Sequence, residues 1–252
     1  MTGSSATSRA ASLARPSEEI LTDAPPPSAD ERRGYGPEPL QFADLRLPSG
    51  EGPFPLAVVF HGGYWQATYN LIHTGHMCGT LADRGIATLN VEYRCVGVPG
   101  GGWPAARDDI CLALELAESL QHKPVVLVGH SAGGQLALWA AKHSGLPVLA
   151  LAPVSDVRTA VHERGGAPAR FMAPEDFPDG SPLELLPLGV PQVVIHGTAD
   201  DSVPYEMSER YVAAAGEDAE LVTLEGAGHF EPIDPQAPQF EHTVAAVERL
   251  LG

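Results

Sequence analysis

Ser131 stands in Gly129-His130-Ser131-Ala132-Gly133-Gly134, after the apolar run Val125-Val126-Leu127-Val128 and before an alanine- and leucine-rich segment reaching Lys142. A serine hydroxyl is a poor nucleophile at neutral pH. It needs a base to take its proton and a carboxylate to orient that base. Residues for both roles follow downstream. His229 lies in the flexible stretch Gly226-Ala227-Gly228-His229-Phe230, and Asp200 and Asp201 lie in His196-Gly197-Thr198-Ala199-Asp200-Asp201-Ser202-Val203-Pro204. The chemistry such a set supports is acyl transfer through the serine oxygen.

The elements that must position these groups are legible around them. Four consecutive apolar residues before Gly129 suit a strand buried on both faces, and Gln135 to His143 carries apolar residues at helical spacing. Ser131 then sits in a strand-turn-helix junction, where a sparsely populated backbone conformation lifts its Oγ above the sheet. In so tight a turn a side chain at 129 or 133 would meet the neighbouring strand or the helix start, so glycine fills both. The helix N-terminus and the free amide of Ala132 favour negative charge developing on a bound carbonyl oxygen.

Competing residues are weighed against this set. His130, His61 and His196 read as structural hydrogen-bonding histidines, leaving His229 as the base among ten. His73 and His76 are three apart on a helix, but nothing nearby completes a metal set, and they read as surface. Adjacent Asp200 and Asp201 point different ways. One reaches His229 and the other caps the turn or the helix beginning near Tyr205, while Asp156, after an earlier strand, is a third candidate acid.

Composition narrows the partners. Fifteen Lys and Arg stand against 32 Asp and Glu, a formal charge of −17, which repels a nucleic-acid backbone or an anionic membrane. Three cysteines at no metal-like spacing read as free thiols. The first 39 residues contain no apolar run of signal-peptide or membrane-span length, so a cytoplasmic location is expected.

Along the chain, residues 1–39 are rich in Ser, Ala and Pro and read as a loose arm, with a short helix over Ser12 to Leu21 and Tyr35 as an anchor. Residues 40–252 read as one domain. Gln41 to Leu47 alternates like a half-exposed edge strand, and Leu56 to Phe60 is a central strand ending in His61-Gly62-Gly63-Tyr64-Trp65. Helical patterns at 73–84, 104–120, 205–215 and 238–251 alternate with strands at 87–93, 148–152, 193–196 and 220–224. Residues 153–187 are too long for an ordinary connection and read as a functional insertion over the strand ends. The fold class is α/β, with a mostly parallel central sheet, helices on both faces and ligands at the carboxyl ends of the strands.

Several stretches together carry a family resemblance: His61-Gly62-Gly63-Tyr64-Trp65, Glu92-Tyr93-Arg94, Trp103-Pro104-Ala105-Ala106 with Asp109, the 129–134 turn, and His196-Gly197 through Asp200 to Val203-Pro204. From about residue 40 to 252 the chain resembles α/β-hydrolases of the esterase and arylformamidase branch, related to the hormone-sensitive-lipase-like esterases. That resemblance implies an α/β-hydrolase fold with a short insertion after the sixth strand. It also implies the order Ser131, Asp200, His229 for nucleophile, acid and base, and it selects Asp200 over Asp201 as the aspartate three before Val-Pro. It implies that the amides of Gly63 and Tyr64 join Ala132 in an oxyanion hole. Tyr64-Trp65 stands where lipase-like members have a third glycine, as in kynurenine formamidases. The rings of Tyr64 and Trp65 are therefore candidates for contact with substrate, with buried aromatic packing as the equal alternative. Tyr93-Arg94 and Asp109 read as a structural fastening of the loop, since buried charges persist only when paired.

The expected activity is that of a cofactor-free, metal-free serine hydrolase acting on a small ester or aryl formamide. A small serine peptidase and a catalytically silent binding protein on the same fold are the alternatives. Ser131→Ala is expected to abolish turnover in a protein that still folds. Near-wild-type esterase activity in that variant would remove Ser131 from the chemistry.

Overall fold

Strands that are apolar on both faces demand cover on both sides, and the computed structural model, which describes residues 24–252, supplies it. Eight strands form one sheet: β1 (Glu31–Gly34), β2 (Phe42–Arg46), β3 (Leu56–Phe60), β4 (Ala87–Val91), β5 (Val125–His130), β6 (Val148–Leu151), β7 (Gln192–Gly197) and β8 (Ala219–Leu224). Their order is β1-β2-β4-β3-β5-β6-β7-β8. The pairs β1·β2 and β2·β4 are antiparallel and every other pair is parallel.

The helices are α1 (Gly75–Asp83), α2 (Trp103–Ser119), α3 (Ala132–Ser144), α4 (Val157–Arg164), α5 (Gly166–Phe171), α6 (Phe177–Gly180), α7 (Tyr205–Ala215) and α8 (Phe240–Leu251). Alternate strand residues point to opposite faces, and the core divides accordingly. Leu56, Val58, Phe60, Leu127, Val148 and Val194 pack with residues of α2, α3 and α7. Ala57, Val59, Val126, Val128, Leu149 and Ile195 pack with residues of α1 and α8. Among the described residues no helix is long and apolar enough to cross a membrane.

Two expectations about the first part of the chain change. The segment at 41–47 is not an edge strand: β2 lies inside the sheet because β1 pairs outside it, and Ala43 to Arg46 are buried. Residues assigned to a loose arm thus include a strand of the sheet. Its sequence, Glu31-Arg32-Arg33-Gly34, has no apolar alternation, and its hold comes from ladder bonds and from Arg32, whose Nε donates to Asp44 at 2.7 Å and whose guanidinium lies over Phe42. Tyr35 does anchor this segment, its hydroxyl donating to the Glu92 carbonyl. The helix expected at Ser12 to Leu21 lies outside the described residues.

The loop after β4 is fastened as the motif implied. Asp109, fully buried on α2, accepts from Arg94 Nη2 at 2.6 Å and from the Arg94 backbone amide at 2.8 Å. Gln41 Nε2 adds a third kind of donor at 2.7 Å. The insertion between β6 and β7 folds into α4, α5, α6 and short 3₁₀ turns. It packs against the sheet-facing helices, with Phe171 stacked on Trp65 at 4.5 Å and edge-on to Trp103 at 6.0 Å.

Crowding at the β5-α3 turn is extreme. A β-carbon on Gly133 would lie 2.1 Å from the Phe60 carbonyl oxygen and 2.4 Å from that of His61. A β-carbon on Gly129 would lie 2.1 Å from the Gly133 carbonyl oxygen. Gly133→Ala should therefore cost about 3 kcal/mol or more of stability in urea titrations. Gly145→Ala, at a left-handed helix end with φ +73° and open space for the methyl, should cost only about 1 kcal/mol.

Candidate active site

At the end of β5 the backbone of Ser131 has φ +57° and ψ −120°, a conformation a non-glycine residue holds only when its surroundings impose it. Ser131 N–H donates to the Leu151 carbonyl at 2.8 Å and the Ser131 carbonyl accepts from Gly134 and Val154. The next residue, Ala132, opens α3, so its N–H has no intrahelical acceptor. Gly62, at the end of β3, passes so close that a β-carbon there would lie 3.0 Å from Ser131 Cβ. Beyond it Gly63, Tyr64 and Trp65 have φ of +112°, +50° and +54°, a run of positive-φ residues that turns the loop sharply, and Gly63 and Tyr64 line the same cavity as Ser131.

Asp200 and His229 meet across the loops after β7 and β8. His229 Nδ1–H donates to Asp200 Oδ2 at 2.6 Å. The same oxygen accepts from His196 Nε2 at 3.0 Å, while Oδ1 accepts from the amides of Ser202 and Val203, each at 2.8 Å. Burial alone would raise this carboxyl. The hydrogen bonds from His196 and His229 outweigh it and hold Asp200 well below the usual carboxylate range, so it is ionised. An ionised acceptor fixes the proton of His229 on Nδ1 and leaves Nε2 with the lone pair.

Ser131 and His229 line one cavity of about 450 Å³, together with Gly63, Tyr64, Thr68, Tyr69, Asn70, Ile72, His73, Asp201, Ser202 and Phe230. Tyr64 closes one side, its hydroxyl donating to the Ser202 carbonyl at 2.6 Å and its ring lying 5.5 Å from the Arg164 guanidinium. The exposed side chains of Tyr69 and Ile72 make an apolar rim.

Several expectations are corrected here. Trp65 does not contact the cavity: it is fully buried, stacks on Phe171 and donates from Nε1 to Gln135 Oε1 at 3.0 Å. The turn is capped by Asp200 itself, through Oδ1, and Asp201 instead faces the cavity. Asp156 caps α4 by accepting from the Thr159 amide at 3.0 Å and has no part in the site. His73 is not a surface residue. It lines the cavity, and its Nε2 lies 2.7 Å from His130 Nδ1. The insertion lines none of the cavity, because its residues cover Trp65, Gln135 and Trp139 instead.

The wall at Tyr69, Asn70, Ile72, His73 and Phe230 went unread in the sequence. A signal exists in hindsight: Tyr69 and Ile72 are large apolar residues flanking Asn70, which caps a short turn, so no helix face buries them. As for metals, His76 Nε2 bonds the Ala24 carbonyl rather than pairing with His73. Among the described residues His61, Glu92 and Cys95 bring three possible ligand atoms within 4.8 Å. His61 and Glu92 are already hydrogen-bonded at 3.0 Å, and burial raises the Cys95 thiol far above its ordinary range, so this group is read as a satisfied buried cluster.

Comparison with known proteins agrees with this architecture. The model of the prolyl oligopeptidase family matches residues 107–247, and one described as BD-FAE matches residues 43–150. The chain is 27% identical over 235 residues to a probable isoprenylcysteine alpha-carbonyl methylesterase of Oryza sativa subsp. japonica, covering 77% of this chain and 56% of that one. It thus spans little more than half the length of that relative. A putative thioesterase from Silicibacter sp. tm1040 superposes with a TM-score of 0.74 at 25% identity, over 92% of this chain and 89% of the other. Thermogutta terrifontis esterase 2 superposes with a TM-score of 0.73 at 21% identity, over 91% and 96%. The fold is the α/β-hydrolase fold.

The two aspartates are separable by experiment. Asp200→Asn replaces an acceptor of four hydrogen bonds and frees His229 to take the wrong tautomer, so ester turnover should fall by roughly 10³-fold or more. Asp201→Asn should stay within about fivefold of wild type, because an exposed carboxylate at a cavity rim is well screened. Equal losses in two folded variants would contradict the hydrogen-bond pattern.

Proposed function

The chain belongs to the prolyl oligopeptidase family, whose model spans residues 107–247 of its 252, and we propose that its site hydrolyses small esters through an acyl-enzyme on Ser131. The observation that carries the proposal is the 2.6 Å hydrogen bond from His229 Nδ1 to Asp200, on a histidine that shares one cavity with Ser131. In this reading His229 Nε2 takes the Ser131 proton as Oγ bonds to the substrate carbonyl carbon. The resulting oxyanion is held by the amides of Gly63, Tyr64 and Ala132, each such donor contributing about 3 kcal/mol. His229 then gives the proton to the departing oxygen, and water repeats the sequence to release the acid and regenerate Ser131. Every step uses side chains and backbone of this chain, so the reading is cofactor-free.

Three observations support the substrate class. A cavity near 450 Å³ lies toward the small end of ligand pockets, which suits short acyl groups. Tyr64, Tyr69 and Phe230 give it aromatic walls for a bulky or aryl leaving group. The methylesterase named among the relatives favours an ester over a formamide. An aryl formamide remains within the proposal through Tyr64 alone, since Trp65 lies elsewhere. Three free cysteines, two of them buried, suit the reducing cytoplasm proposed as the location. The family match by itself favours a second reading, cleavage of small peptides, for which a peptide anilide is the discriminating substrate.

The test is a kinetic series on p-nitrophenyl esters from acetyl to dodecanoyl, with N-formylkynurenine and a peptide anilide alongside, and fluorophosphonate labelling at Ser131. Labelling should succeed, and kcat/KM should peak between acetyl and about butyryl. A steady rise to dodecanoyl would require a long acyl channel and contradict the substrate class.

A further inference from the structure

The loop that carries His229 is held at a second point besides Asp200. His130 Nε2 lies 2.9 Å from the backbone carbonyl oxygen of His229, and His130 Nδ1 lies 2.7 Å from His73 Nε2. A carbonyl only accepts, so the proton of His130 in this bond is on Nε2. In a singly protonated ring Nδ1 is then an acceptor, and His73 must donate to it from Nε2. The direction of the chain is therefore fixed by its last member: His73 Nε2–H to His130 Nδ1, then His130 Nε2–H to His229 O.

Both rings are held neutral. Burial pushes His130 well below the ordinary histidine range, with His229 and His73 adding to the effect. Burial, with His61 and His229, pushes His73 down to about 3. Asp200 acts on His130 in the opposite sense, as does the bond to the His229 carbonyl, and neither restores it. His130 has no exposed surface and stacks on His73 at 4.9 Å, with the tilted rings of His229 at 4.6 Å and Phe230 at 5.8 Å. A β-carbon at Gly62 would also fall 3.1 Å from His130 Nδ1, so the loop after β3 runs against the same ring.

We propose that His130 and His73 are positioning residues: a directed pair of imidazoles that joins the cavity wall at 69–73 to the backbone of His229 and so sets where the His229 ring meets Ser131. The proposal rests on the hydrolase reading for its kinetic consequence. Its geometric content stands apart from it. His130 touches neither the reacting serine oxygen nor the proton in transfer, and its effect comes through the loop it holds.

Two measurements test it. In ¹⁵N–¹H correlation spectra of the wild-type protein, both His73 and His130 should show the Nε2–H tautomer and stay neutral from about pH 5 to 8, where an ordinary histidine titrates. An Nδ1–H tautomer at His130, or ordinary titration of either ring, would overturn the relay. In kinetics, His130→Leu removes both bonds at similar volume, and His130→Gln keeps an amide donor for the His229 carbonyl. Turnover of p-nitrophenyl acetate by His130→Leu should show kcat lowered roughly 30- to 100-fold, the scale of a misplacement near 1 Å, with KM within about threefold. The acidic limb of its pH profile should not move, and His130→Gln should recover to within about tenfold of wild type. A folded His130→Leu with near-wild-type kcat, or a Gln variant no better than Leu, contradicts positioning. Should His130→Leu fail to fold, the tautomers and the Gln variant still decide. Wild-type protein that neither turns over esters nor labels at Ser131 would sink the hydrolase reading, and the spectra would still accept or reject the relay.

Discussion

Everything at the carboxyl edge of the sheet depends on how little room the β5-α3 turn leaves. Gly133 sits where any side chain would overlap the Phe60 and His61 carbonyls, and Gly129 sits under the Gly133 carbonyl, so strand and helix close on each other at backbone distance. Ser131 absorbs the reversal with φ +57°. In so sharp a turn neighbouring side chains diverge. Ser131 faces the cavity, while His130 turns inward to full burial. The strained turn at Ser131 thereby presents the Ser131 hydroxyl to the cavity and the His130 ring to the surrounding loops.

Those loops are joined by buried polar groups. Asp200 ties the loops after β7 and β8, Asp109 ties the loop after β4 to α2, and Gln135 ties Trp65 and the insertion to α3. Each is buried, and each meets several donors or acceptors. A buried carboxylate left with one bond missing would be costly, so its partners are held in place by the same force that keeps it charged. Apolar packing would leave such loops free to slide. Directed hydrogen bonds give His229 a defined orientation at both its ring and its backbone.

The division of labour between segments follows from what each buries. The insertion places Phe171 on Trp65 and Trp103 and accepts a hydrogen bond from Trp139 Nε1 at the Asp179 carbonyl, extending the core above α2 and α3. The cavity wall comes instead from the stretch between Gly63 and His73, two of whose large apolar side chains, Tyr69 and Ile72, remain exposed at its rim. The wall of the cavity is thus drawn from the segment that follows Gly62, the residue packed against Ser131.

What the sequence determined by itself was local or periodic. The strand-turn-helix around Ser131 was legible because glycine at 129 and 133 answers to sterics within a few residues, and the doubly buried strands were legible because both faces are apolar. The candidate order Ser131, Asp200, His229 came through the family resemblance, since the residues alone left Asp200 and Asp201 as alternatives. Tertiary structure alone decided matters that depend on partners far away. Trp65 is buried because Phe171, more than a hundred residues later, stacks on it. β1 is a strand because β2 offers it a ladder, which its charged sequence does not announce. The turn that Asp201 was expected to cap belongs to the second oxygen of Asp200, and His73 is a wall residue because its Nε2 is hydrogen-bonded to His130 Nδ1. Residue type and spacing report what a side chain can do. Which bond it makes is settled by the groups that three-dimensional packing brings within 3 Å of it.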